Sequence, residues 1–149
     1  MAIIPRMSER ALRMTPSVPA GERQFPYQGA PFAFKEVEES VIATVLVYPD
    51  LYYLVDFLTP EDFFFRANRV LWGIIATLHG ERRPFSAKLV QALYNASPEA
   101  AAPLSDRLLD ALLSRQDVDA LQQNAYLLKD ARDRRLLAGA FHEAVGALG

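Results

Sequence analysis

From Lys35 to the end of this 149-residue chain, apolar residues recur three and four positions apart almost without interruption, and no segment shows a convincing two-residue alternation. That period confines the fold to helices packed on helices, with no sheet to organise them. Val37, Val41, Val45 and Tyr48 form the first stripe, and Glu36, Glu38 and Glu39 crowd the first turn, where negative charge meets the positive end of the helix dipole. Pro49 ends that helix and leaves Asp50 to cap another over residues 51–58. Thr59-Pro60-Glu61-Asp62 is a further start signal, with a capping threonine, proline at the first helical position and an acid placed to bond back.

Residues 66–79 are expected to form a helix with Val70, Leu71, Ile74, Ile75 and Leu78 on its buried face, broadened by Trp72 and stopped by Gly80 as the C-terminal cap. Pro84-Phe85-Ser86 opens another through Tyr94, with Ser86 as its cap. Beyond Pro103 the pattern changes. A short leucine-rich helix over residues 104–114 is followed by a turn at Gln116-Asp117 and a helix running toward Leu148. At 1.5 Å per residue that last helix is roughly 45 Å long, so the pair is expected to form a hairpin whose outer part protrudes. The expectation is an all-α chain: a compact helical bundle over residues 34–103 and a protruding C-terminal α-helical hairpin over residues 104–149. Residues 1–33 hold five of the ten prolines and no apolar period, and read as a flexible arm with Phe25, Tyr27, Phe32 and Phe34 as clasps near its end.

Composition narrows the function. A hydrophobic fraction of 51% supports a real core, and the absence of cysteine removes disulfides, thiol nucleophiles and thiolate metal sites. A formal net charge of −2, with acids and bases interleaved, disfavours strong direct nucleic-acid binding. Apolar runs are far shorter than the roughly 20 residues that span a bilayer, which points to a cytoplasmic protein without membrane contact.

The chemistry-bearing residues have structural explanations. No Gly-Lys pair exists, so the phosphate-binding loop of the common ATP motors is missing from these residues. His79 and His142 lack companion ligands, Ser86 and Ser97 read as caps, and Glu61 and Asp62 as first-turn acids. Phe63-Phe64-Phe65 would need surrounding positive charge to stack on bases, and core packing in a helical setting is the simpler reading. The chain is therefore read as non-enzymatic, with no catalytic site, cofactor or metal.

The order of motifs carries more than any one of them. Glu36-Val37-Glu38-Glu39-Ser40-Val41-Ile42 is followed by Glu61-Asp62-Phe63, then Asn68-Arg69-Val70-Leu71-Trp72. Next come the turn from Gly80 to Ser86 and the run from Tyr126 to Leu137. This succession resembles the N-terminal domain of the DnaB family of replicative DNA helicases over roughly residues 31–147. Ser86 stands where that family usually has an aspartate cap, and Glu39 where it has glutamine.

The resemblance implies an interaction collar without the ATPase motor into which the family continues. In that family the domain pairs through its hairpin, and the collar receives primase and loaders. Carried over, Leu108, Leu109, Leu112 and Leu113 on one helix would meet Leu121, Leu128, Ala131, Phe141 and Val145 on the other and on their copies. Lys129, Arg132, Arg134 and Arg135 would offer a polar face for partner docking, against the plainer reading of a solvated charged face. The expected partners are a second copy, the replicative helicase, primase or a helicase loader. The alternatives are a stand-alone regulator of a host helicase and a helical adaptor unrelated to replication.

Overall fold

The computed structural model describes residues 32–148, and every regular element among them is helical. Five α-helices run Lys35–Val47 (α1), Arg66–Gly80 (α2), Ala87–Ala96 (α3), Asp106–Leu113 (α4) and Leu121–Leu148 (α5). Two 3-10 turns, Pro49–Leu54 and Pro60–Asp62, bridge α1 to α2. The expected arm lies almost wholly outside the described residues, as do Phe25 and Tyr27.

The chain divides into two compact units. One is Lys35–Asp133, and the other joins residues up to Phe34 with Arg134–Gly149. The first holds α1 to α4 and the first half of α5 around one core. Leu109, Leu112, Leu121 and Leu128 join the same core as α1 and α2.

α1 is the central element. Val41, Ile42, Ala43, Thr44, Val45 and Leu46 are all buried, so the helix is covered on nearly every side instead of along one stripe. Val37 is only half-buried and Tyr48 is exposed, at the two ends of the expected stripe. α2, α4 and the first 3-10 turn pack around it. Each fully buried aliphatic or aromatic side chain here contributes on the order of 1.5–3 kcal/mol by leaving water.

The segment after α1 is a 3-10 helix and not the α-helix expected over residues 51–58, and its cap position is Tyr48 instead of Asp50. The buried residues explain it. Tyr52, Val55 and Leu58 lie three apart, the period of 3-10 geometry, and successive bonds run from Val55 N to the Tyr52 carbonyl and from Leu58 N to the Val55 carbonyl. Tyr52 stacks on Trp72 at 5.5 Å, and its ring lies 4.2 Å from that of His79. Burial, with Asp56 as a second cause, raises the Tyr52 hydroxyl above its ordinary pKa.

On α2 the innermost residues are Asn68, Leu71, Trp72, Ile75 and Leu78, while Val70 and Ile74 are half-buried. Trp72 is fully enclosed, donates its indole N–H to the Leu58 carbonyl at 3.1 Å and stacks on Phe63 at 5.1 Å. Gly80 does not end α2 as a left-handed cap. It is the last helical residue, and the left-handed position falls on Arg82 at φ 57°. Arg83 N closes the turn on the Leu78 carbonyl at 2.9 Å. Ser86 caps α3 as expected, its hydroxyl accepting from Leu89 N at 3.2 Å, and Ser105 caps α4 through Leu108 N in the same way.

Candidate interaction surface

Two buried carboxylates hold the first unit together. Glu38, from the first motif, turns inward from α1 and is fully buried. Its Oε2 accepts from Phe64 N at 2.6 Å, and its Oε1 accepts from Phe65 N at 3.3 Å and from Asn68 Nδ2 at 3.0 Å. These donors surround the first turn of α2, whose cap residue Phe65 supplies no side-chain bond of its own. Glu38 therefore caps α2 from another helix, placing a negative charge at the positive end of the dipole. Periodicity assigned it to the first turn of its own helix.

Asp62 is the second. Its Oδ2 accepts from Thr59 N at 2.8 Å, the back-bond expected from the sequence. The same oxygen lies 3.4 Å from Lys129 Nζ, and Oδ1 lies 3.7 Å from Arg132 Nη1. Lys129 and Arg132, expected as docking cations, thus lie against an acid of their own chain. The second unit takes up the other two. Arg135 Nη1 donates to the Phe32 carbonyl at 2.6 Å, and the Arg134 guanidinium sits 5.8 Å from the Phe32 ring centroid.

Phe63, Phe64 and Phe65 are not helical. Phe63 and Phe65 are extended, in the link between the second 3-10 turn and α2, with Phe63 fully buried and its two neighbours half-buried. Arg69 donates to the Phe63 and Phe64 carbonyls at 3.1 and 2.8 Å, satisfying backbone that the link leaves open. Phe63 joins the core, whereas Phe64 and Phe65 are half-buried outside it, so the core reading holds for one of the three.

The nine residues expected to self-associate separate into two groups. Leu109, Leu112, Leu121, Leu128 and Ala131 are buried within the chain's own fold, and Leu113 is half-buried against the same core. Leu109, Leu112, Leu121 and Leu128 already belong to the core that α1 and α2 share. Leu108, Phe141 and Val145 are exposed. Sequence reasoning missed two companions, Leu136 and Leu137, which are also exposed. At 71% and 69% accessible, Leu137 and Phe141 are the most exposed large apolar side chains described. In helical register, Leu137, Phe141 and Val145 lie four apart and share one face of their part of α5.

Elsewhere in the first unit, Tyr126 is exposed but lays its ring against Phe57 at 4.9 Å. An open groove of about 770 Å³ along α2 has Val70, Gly73, Ile74 and Leu93 in its wall and Arg66 and Glu99 at its edge. No helix among the described residues is long and apolar enough to cross a membrane.

Comparison with known proteins places this arrangement. The model of the DnaB-like helicase N-terminal domain matches residues 31–129. Among solved structures, the chain resembles the N-terminal domain of DnaB helicase from Mycobacterium tuberculosis with a TM-score of 0.65 and 23% identity, over 78% of this chain and 86% of that one. It also resembles the N-terminal domain of DnaB helicase from Helicobacter pylori, a protein described together with its interactions with primase. That similarity has a TM-score of 0.62 and 18% identity, covering 76% of this chain and 90% of that one. No curated protein sequence matches. These two likenesses establish the shared all-α fold, and with two thirds of its length matched by the family model, the chain belongs to the DnaB-like helicase N-terminal domain family.

Proposed function

We propose that the chain is a non-catalytic interaction domain of cytoplasmic DNA replication, which self-associates and docks primase or a helicase loader as part of, or partner to, a replicative helicase. The observation that carries this reading is the exposed stripe of Leu137, Phe141 and Val145 on α5, four residues apart and so on one face of the helix. Contiguous apolar surface on a charged helix is stabilised by covering it, and a second copy of the same stripe is the simplest self-complementary cover. Family membership supports the replication context, and the H. pylori relative's interaction with primase supports that class of partner. The self-association surface proposed is therefore the exposed set, with Leu108 at a separate place on α4. Leu109, Leu112, Leu121, Leu128 and Ala131 are buried within the first unit. Of the docking cations, Lys129 and Arg132 remain one-third accessible beside Asp62, within reach of an acidic partner group.

The test is native mass spectrometry of the chain alone and mixed with the primase and replicative helicase of the same organism. A dimer or higher oligomer that captures either protein is the expected result. A monomer that captures neither contradicts the proposal and brings the adaptor reading forward.

A further inference from the structure

Within the compact unit, Asp62 lies against the last buried turn of α5. Ala131 is the last buried residue of that helix, and no described side chain from Arg132 to Gly146 is buried. The cluster of Asp62 with Lys129 and Arg132 brackets that last contact. Its geometry is incomplete. Asp62 is fully buried, yet its Oδ1 has no hydrogen-bond partner among the described residues. The nearest cation to that oxygen, Arg132 Nη1, is at 3.7 Å, and Lys129 Nζ stands at 3.4 Å from the other. Both distances exceed the roughly 2.7–2.9 Å of a strong charge-assisted bond. Both cations also keep contact with solvent, at 38% and 32% exposure, where dissolved ions compete for them.

The Thr59 N–H and hydroxyl bond to Oδ2, and the rest of this buried carboxylate's stabilisation comes from the two cations, which sit together on α5 beside its last buried residue. We propose that Asp62, Lys129 and Arg132 form an electrostatic latch that keeps the last anchored turns of α5, around residues 125–133, docked on the compact unit. The latch opens as ionic strength rises. Closed, it covers Leu128 and Ala131 and occupies both cations. Open, it loosens those turns and releases the cations, so an acidic group in solution acts in the same direction as salt. The inference concerns the compact unit alone and does not depend on how the chain self-associates.

The test is amide hydrogen exchange of the whole chain between low salt and 1 M sodium chloride, read at residues 129–133, with residues 71–75 of α2 as internal reference. In the wild type, exchange at 129–133 should quicken by about two- to fivefold while α2 stays constant, the range expected for weak, partly exposed ion pairs. In Asp62→Asn, exchange there should be fast at both salt levels. Should that variant fail to fold, the double variant Lys129→Gln/Arg132→Gln, altered only at partly exposed positions, decides the matter by the same readout. Salt-independent exchange at 129–133 in the wild type overturns the latch. So does an equal response in α2, or a wild-type salt response retained in the double variant.

Discussion

The Thr44 hydroxyl accepts the backbone N–H of Asp117 at 2.8 Å while donating to the Ser40 carbonyl at 2.7 Å. One buried side chain on the central helix thereby fixes the turn that leads into α5, across 73 positions of sequence. Asp117 in turn accepts from Ala120 N at 3.2 Å, so the tie to Thr44 sets where the approach to α5 begins. Replacing Thr44 with valine keeps the volume and leaves the Asp117 N–H without its acceptor. A loss of about 1–2 kcal/mol is expected in urea unfolding, with Thr44→Ser recovering part of it.

Glu38 offers a sharper test of cross-helix capping. Glu38→Gln retains one acceptor oxygen but removes the charge facing the start of α2, and should cost about 1–2 kcal/mol. Glu38→Ala strands two backbone N–H groups and Asn68, and should cost about 3 kcal/mol or more. Denaturant melts measure both. An alanine variant as stable as the wild type would refute the role assigned to this residue.

The turn after α2 puts its glycine and its left-handed residue at different positions. Gly80 is helical and a Cβ there meets nothing within 4 Å, so Gly80→Ala should stabilise by about 0.5–1 kcal/mol. Arg82 carries φ 57°, so Arg82→Gly should stabilise by about 1 kcal/mol through relief of the left-handed backbone. Thermal melting of the two variants and their combination gives the values, with near-additivity expected unless the shared turn couples them.

What was legible follows from range. The Ser86 cap and the Thr59–Asp62 back-bond each lie within four consecutive residues, so sequence alone displays both partners. Glu38–Phe64 and Thr44–Asp117 join distant segments, and no local pattern announces them. Over six residues a period of three cannot be told from one of 3.6, so the sequence does not separate the first 3-10 turn from an α-helix. The leucines of α4 and α5 show the deepest limit. A stripe has the same appearance whether it is covered by its own chain, as at Leu109 and Leu128, or left open, as at Leu137 and Phe141.

Asp106 tests the electrostatics of the loop that α3 pins. Its Oδ1 accepts from Lys88 Nζ at 2.8 Å and Gln91 Nε2 at 2.9 Å, and these bonds, with the lysine's charge, lower its pKa below the ordinary 3.8. A lowered carboxyl contributes stability that is fully present above its unfolded pKa and is lost as pH falls through the folded value. Carboxyl titration by NMR should therefore place its midpoint below 3.8, moving back up in Lys88→Ala. The side chain is exposed, so added salt should shrink the difference.

α5 buries one apolar set within the chain's own fold, and its exposed set is the proposed self-association surface. Sedimentation velocity combined with circular dichroism separates the two in a single pair of variants. Leu137→Asp/Phe141→Asp should remain folded and sediment as a monomer at concentrations where the wild type associates. Leu128→Asp, which places a charge in the core, should instead lose helicity and unfold. A folded Leu137→Asp/Phe141→Asp protein that sediments as the wild type does would contradict the assignment of this stripe as the self-association surface.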